Sequence, residues 1–525
     1  MKKYNKYIYI AALTLSVGLS SCDSYLDKLP DRRMELKKLD DVKGLLLSAY
    51  PDKHPAYLLE MYSDNTDYNK NPSWSEADYF QGEAYKWADI TSMGNDESPQ
   101  ELWNSSFVAL ASANQVLDYF ETSGDAEDDE AKEVIAEARL CRAYTIFCLA
   151  NVFCEAYDKT TASSKLGLPY ISKPETKIGV TYERGTLEEL YKNIDSDIQA
   201  GLANIGNNYA HPKYHFTKAA ANAFAARFYL YYQQYDKAIS CATAALGDNP
   251  SIFLRDWKSF NKLSSNGQIA PNAYVNSGVK ANFLLQASYS EWGAIYGPYG
   301  YANKYAHGRV IAEKEDIQAK GPWGANSSMG YTVWHNSSLS KYFINKIPYS
   351  FEMTDVQAQI GFAHSTLPVF TADETLLVRA EAKALKGDYD GAVEDLNTEL
   401  YAYSGGNYSV TLEQIKSFYS NLAYYTPEAP TSRKAFNTKF TIEPTTQEPL
   451  LQAILLLRRI LTLGEGLRMQ DVKRYGMVIY RRTVSESAEI LDVTDSLTVD
   501  DPRRAIQLPQ DVIMSGLEAN PRTKK

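Results

Sequence analysis

Apolar residues recur every three or four positions along much of this 525-residue chain, and that period predicts helices. In "SPQELWNSSFVALASANQVLDYF", Trp103, Phe107, Leu110 and Leu117 form one apolar stripe. Ser98 stands before it as N-cap, Pro99 takes the first helical position and Glu101 closes a capping box. The run "DAEDDEAKE" precedes "VIAEARLCRAYTIFCLANVF" and puts acids where the helix dipole favours them, so it reads as a solvated helix start rather than a metal loop. "TLEELYKNIDSDIQAGL" follows the same grammar, with Thr186 and Glu189 as capping box and Leu187, Leu190, Ile194, Ile198 and Leu202 on one face.

A weak internal repeat organises the later helices. "AARFYLYYQQYDKAISCATAAL" and "LVRAEAKALKGDYDGAVEDLNTEL" each place an Ala (Ala226, Ala380) nine residues before Tyr-Asp-x-Ala (Tyr235, Asp236, Ala238; Tyr389, Asp390, Ala392). Each reads as helix, tight turn and helix, with a small residue where the helices approach, which is how tetratricopeptide-like pairs pack. The expected fold is therefore mostly α: a curved scaffold of such pairs, with a large irregular half.

The helical period disappears from about 250 to 366, where Gly, Asn, Ser and Tyr gather around four tryptophans. "EWGAIYGPYGYANKYAHGR" and "GPWGANSSMGYTVWHNSS" mix aromatics with glycine and polar residues, and "DNTDYNKNPSWSEADYFQGEAYKWADITSMGNDE" has the same texture earlier in the chain. Long aromatic-rich stretches of this kind are functional loops more often than disorder. Sugar rings pack an axial C–H face on aromatic rings while their hydroxyls seek Asn, Asp and Arg. On that chemistry the candidate ligand-binding residues are Trp292, Tyr296, Tyr299, Tyr301, Asn303, Arg309, Trp323, Tyr331 and Trp334, with Trp74, Tyr79 and Trp87 as a second group. His307 and His335 stand among them as candidate hydrogen-bonding partners.

Composition narrows the classes. With 65 acidic against 54 basic residues the net charge is −11, which disfavours a phosphate backbone as ligand and excludes a basic single-strand groove. Lys2, Lys3 and Lys6, the apolar run "YIYIAALTLSVGL" and small residues before Cys22 make residues 1–21 a bacterial lipoprotein signal, with Cys22 as lipid attachment site. Multiple acyl chains there would hold the protein on a membrane at about 0.8 kcal/mol per buried CH₂. The most apolar later stretch, "LLQAILLLRRILTLGEGL", carries Arg458 and Arg459 in its middle and is no membrane span. Cys141, Cys148 and Cys154 share one predicted helix, with neighbours about 9 to 10 Å apart, too far for the roughly 7 Å Cα limit of a disulfide. They read as apolar thiols.

The C-terminal part carries a family resemblance. "EGLRMQDVKRYG", Glu465 to Gly476, resembles the E-G-x-R-x-x-D-x-x-R-x-G signature of SusD/RagB nutrient-uptake lipoproteins. "IQLPQDVIMSGLEANP" is similar to that family's closing segment, and Ala380-Glu381-Ala382 to the core of one of its helices. Asn114 and Arg142 stand where two early helices of the family expect them. The signature departs at Leu461, where Glu is usual, and at Gly464 and Met469, where aromatics are usual. Spacing alone puts Glu465, Arg468, Asp471 and Arg474 within pairing reach on one helix, as a structural charge network.

The resemblance implies four tetratricopeptide-like helix pairs and an irregular ligand-binding half. It implies a non-catalytic, lipid-anchored protein on the outward face of the outer membrane, capturing oligosaccharides, or peptides in some subfamilies, for a SusC-like TonB-dependent transporter. The layout expected is a signal over 1–21 and one domain over 22–525. Its scaffold covers about 30–60, 98–250 and 367–476, its insert about 250–366, and its signature segment 451–525. No cofactor is called for; Ca²⁺ in a loop is compatible with these residues and not implied by them. An enzyme would need paired carboxylates, a nucleophile elbow or a metal spacing, and no such motif is present. A pure interaction scaffold would leave the aromatic loops without a role except as interface.

Overall fold

The computed structural model describes residues 36, 38–77, 79–92, 94–177, 179–264, 267–297, 303–325, 333–336 and 341–522. The signal segment with Cys22, and Tyr299, Tyr301 and Tyr331, lie outside the described residues. The chain divides into two units, 1–42 and 43–525; of the first, the described residues are 36 and 38–42, where the helix Leu39–Leu46 begins.

In the second unit the predicted helices start where the sequence places them. The capping box expected at Ser98 is only half made, because the Ser98 N–H goes to the Asn95 carbonyl at 2.9 Å and not to Glu101. The Ser98 side chain accepts the N–H of Glu101, opening α1 (Pro99–Ser123). Asp128 accepts the N–H of Ala131 and opens α2 (Asp129–Phe153), so the acidic run begins a helix. Thr186 and Glu189 exchange bonds in a complete capping box at α3 (Leu187–Asn204). The two repeats form α4 (Lys218–Tyr231) with α5 (Tyr235–Leu246), and α6 (Ala372–Lys386) with α7 (Tyr389–Tyr403). Ala226 and Ala380 are fully buried where each pair closes. Successive helices pack on one another from α1 through α7, with α5 against α6 bridging the insert and α8 (Gln447–Leu461) against α6. The thiols of Cys141, Cys148 and Cys154 are free.

The insert is more ordered than its composition suggests. β1 (Asp67–Asn69) lies in the earlier loop; β2 (Asn282–Tyr289), β3 (Tyr305–Ala306), β4 (Ser350–Asp355) and β5 (Ile360–Thr371) follow. β5 pairs antiparallel with both β2 and β4. Alternation did not betray β2 because "NFLLQASY" is buried on both faces for most of its length and so reads as a continuous apolar run. A second sheet runs in the order β7 (Ile490–Leu497), β6 (Ile479–Val484), β1, β3, with β1 and β6 parallel.

Buried ion pairs lock this second sheet to the scaffold. Arg468 Nε and Nη2 lie 2.8 and 3.0 Å from the two carboxylate oxygens of Asp64, and Arg482 meets Asp67 at 3.0 and 2.8 Å. Lys434 donates to Glu315 at 3.0 Å. Arg459 donates to Asn65 Oδ1 at 2.8 Å and to the Asp64 carbonyl at 2.9 Å. The signature residues pair outward more than the helical spacing suggests, because α9 (Arg468–Arg474) starts after Glu465. Asp471 does meet Arg474, at 3.2 Å, but Arg468 turns to Asp64, and Glu465 accepts from Lys346 at 2.7 Å and Tyr274 at 3.0 Å. Glu381, centre of the Ala-Glu-Ala run, accepts from Tyr475 at 2.6 Å and from both Arg458 and Arg474.

Candidate functional site

The loop "EWGAIY" turns inward after β2. Ser290 Oγ accepts the Trp292 N–H at 3.0 Å, and the indole N–H donates 2.8 Å to the carbonyl of Gly464. The Trp292 ring stacks on Tyr57 at 4.7 Å and meets Tyr296 at 4.5 Å, leaving it 1% exposed. A ring held between two others offers no face to a sugar, so Trp292 is a core residue and not a platform. Gly293 is needed beside it: a Cβ there would sit 2.2 Å from the Pro348 carbonyl.

Three more of the expected aromatics are interior. Trp87 donates its indole N–H to the Tyr62 carbonyl at 2.8 Å and lies 4.0 Å under the Arg481 guanidinium. Trp323 is buried against Gly321. Trp74 is buried with the Lys341 ammonium 3.7 Å above its ring. Trp334 belongs to the strand Val333–Asn336, opposite Phe343. Arg309 pairs at 2.8 Å with Glu313 on its own helix rather than standing free for a ligand. His307 likewise faces protein, with Nδ1 3.0 Å from the Asn65 carbonyl and Nε2 3.2 Å from Asp316.

What the fold does bring together is the early loop and the end of the Gly-rich loop. Ser75 bridges Asn303, while β1 pairs Tyr68 with Tyr305. Tyr305 sits 5.6 Å from Tyr68 and 4.8 Å from Tyr85, and its hydroxyl donates to Glu76 at 3.2 Å. Glu76 and Ala77 are tied to the helix Tyr79–Tyr85: a Cβ on Gly82 would lie 3.2 Å from Glu76, and Gln81 accepts the Ala77 N–H at 2.8 Å. That helix starts with Tyr79, 73% exposed. Trp74, Tyr79 and Asn303 from the expected set thus share one region with Tyr68, Glu76, Tyr305 and Lys341, which sequence reasoning did not single out. The short "DYN" strand carries a weak signal for Tyr68; Lys341 carries none.

The chemistry of this region is mixed. Tyr68, Asn71, Glu76 and Lys304 are half-exposed and Tyr79 is exposed, so the region offers an aromatic face together with hydrogen-bonding groups. Burial pushes the Lys341 amine down to about 7, so near neutrality it divides between a cation over Trp74 and a neutral amine; it donates to the Asn303 carbonyl. Asn303 uses Oδ1 for the Tyr305 N–H at 3.3 Å, and its buried Nδ2 has no partner among the described residues.

Residues 24–230 match a SusD-like family model described as starch-binding and associating with the outer membrane. A curated relative, SusD-like protein P38 of Formosa agariphila, is 20% identical over 436 residues, 77% of either chain. Over residues 24–230 the chain thus resembles the SusD-like family. Two solved structures share the fold of this chain. A SusD superfamily protein from Bacteroides thetaiotaomicron has TM-score 0.63 at 17% identity, covering 93% of this chain and all of its own. A putative sugar binding protein from Bacteroides vulgatus has TM-score 0.65 at 17% identity, covering 93% and 99%.

Within the segment that resembles the family signature, one departure now has a physical reason. Gly464 holds φ at +85°, and a Cβ there would meet Tyr296 Cε1 at 2.5 Å. Tyr296, expected at a ligand surface, instead fills the space beside the glycine, and burial pushes its phenol well above the ordinary range. No helix among the described residues is long and apolar enough to cross a membrane.

Proposed function

We propose that this SusD-like protein is a non-catalytic glycan-capture protein, lipid-anchored through Cys22 on the outward face of the outer membrane. It binds oligosaccharide at the surface around Tyr79, Tyr68 and the Ser75–Asn303 bridge and delivers it to a SusC-like TonB-dependent transporter. The observation that carries this reading is the match of residues 24–230 to a family described as starch-binding and outer-membrane-associated, a span that includes Tyr68, Trp74 and Tyr79. The mixture of an exposed aromatic face with carboxylate, amide and amine groups suits a ligand with apolar C–H faces and hydroxyls. Capture followed by release needs only modest affinity, about micromolar or ~8 kcal/mol.

Calorimetric titration of the full-length protein with malto-oligosaccharides, other oligosaccharides and a peptide mixture tests the substrate class. Glycan binding is expected; peptide binding with every glycan silent would assign the site to peptides. Loss of membrane association in Cys22→Ala tests the anchor, and co-purification of a TonB-dependent transporter tests the partner.

A further inference from the structure

Beyond Tyr289, which β2 places opposite His364, the sheet narrows to two strands. There β4 and the start of β5 form a ribbon, pairing Phe351 with Ala363, Glu352 with Phe362, Met353 with Gly361 and Asp355 with Ile360. Every residue of β4 is exposed, and the strand is the outer one of its sheet. Phe351 is 45% exposed, Met353 52%, Val356 74%, Ile360 59% and Phe362 49%. Elsewhere among the described residues no two exposed large apolar side chains lie near each other in sequence, and scattered ones are ordinary. This ribbon gathers five.

Two physical costs follow. A two-stranded ribbon is marginal in water without a third strand or a packed face. The outer edge of β4 also presents a row of backbone donors and acceptors to any strand that arrives, and proteins usually blunt such edges with Lys or Pro. Residues 349–367 contain no Lys, Arg or Pro. Their formal charges are Glu352 and Asp355, with His364 Nε2 3.1 Å from Glu352.

We propose that the outer edge of β4 is a docking site for a strand of another protein, apolar at alternate positions and carrying Lys or Arg toward Glu352 and Asp355. The backbone of the incoming strand would complete the ladder, Phe351 and Met353 would give it an apolar face, and the two acids would select its charge. Charge argues against the other occupants. A second copy would bring two acidic edges and two bodies of net charge −11 together. A lipid surface is engaged by apolar segments flanked with Lys or Arg, which this ribbon lacks. The proposal is independent of the glycan reading and concerns a different surface.

The test uses the full-length protein and two labelled decapeptides, one alternating Val with Lys and one alternating Val with Glu, read by fluorescence anisotropy and hydrogen exchange. The Lys peptide is expected to bind, weaken with salt and slow exchange over 350–355. The double variant Glu352→Lys, Asp355→Lys should reverse the preference, and Phe351→Ser with Met353→Ser should weaken binding about tenfold at an unchanged melting temperature. Failure of the Lys peptide to bind, or binding that the charge reversal leaves unmoved, would overturn the proposal. So would a concentration-dependent dimer that the serine variant dissociates, which would make a second copy the occupant, or liposome binding lost in that variant, which would make it a membrane.

Discussion

Arg468 reaches across 404 positions of sequence to hold Asp64 with two parallel bonds, at 2.8 and 3.0 Å, inside a buried cluster that includes Arg459 and Lys434. Removing one partner strands the other charge away from water. Asp64→Asn or Arg468→Met is expected to cost about 3 to 5 kcal/mol, measured by urea unfolding, and the double variant less than the sum.

The same carboxylate sets an acid limit. Burial alone would raise the Asp64 carboxyl, but the charges of Arg459, Arg468 and Lys434 prevail and hold it well below the ordinary range. Its stabilising contribution is present above about pH 4 and is lost as the pH falls through the lowered value. Unfolding curves of the wild type and Asp64→Asn should therefore stay apart at neutral pH and converge in strong acid.

Glu97 has the opposite sign. Burial pushes its carboxyl up to about 8, against the Ser290 hydroxyl and the Glu291 N–H that favour its charge. The folded state then keeps a proton that the unfolded state has released, so stability declines as the pH rises from about 4.5 through 8, by up to about 1.4 kcal/mol per pH unit. Glu97→Gln should flatten that slope in thermal melts from pH 5 to 9. A slope unchanged in the variant would show that Glu97 is not its source.

Trp292 and Tyr79 should separate core from surface. Trp292→Ala is expected to cost about 3 to 5 kcal/mol of stability, because the indole's stacking on Tyr57 and its bond to Gly464 both disappear. Tyr79→Ala should leave the melting temperature unchanged and weaken oligosaccharide binding about five- to tenfold, or ~1 to 1.4 kcal/mol. The reverse pattern would place the ligand at the Gly-rich loop.

Gly464→Ala should lower stability by more than about 1 kcal/mol, since alanine at positive φ is strained and its Cβ meets the Tyr296 ring. Combining it with Tyr296→Ala removes the clash but not the strain. A double-mutant cycle by denaturant unfolding should show coupling of about 0.5 to 3 kcal/mol.

Helix starts were legible in the sequence because each is a local contract: Ser98 with Glu101, Thr186 with Glu189 and Asp128 with Ala131 lie three residues apart. The repeat around Tyr235 and Tyr389 was legible for the same reason. Aromatic roles were not, since they depend on remote residues. Trp292 is buried by Tyr57 and Gly464, more than 170 positions away on either side, and Trp87 by Arg481. Composition gave the Gly-rich loop the ingredients of a binding surface, while tertiary packing put Trp292 in the interior, set half-buried Tyr296 against Gly464 and left Tyr79 outside. Spacing suggested pairs within the signature helix, yet Arg468 and Glu465 found partners on other elements because burial leaves them no water to turn to.

The parallel pairing of β1 with β6 also fixes an order of events. Asp67 and Arg482 are 415 positions apart. At roughly 5 to 20 residues per second of synthesis, roughly 20 to 80 s pass between the making of the acid and the arrival of its base. Helix pairs such as α4 and α5 need no such wait, because their partners are neighbours in the chain. Asp64 and Asp67 cannot be enclosed with their bases until Arg468 and Arg482 have been made, so some of the first residues made at the centre of this molecule are among the last to be enclosed.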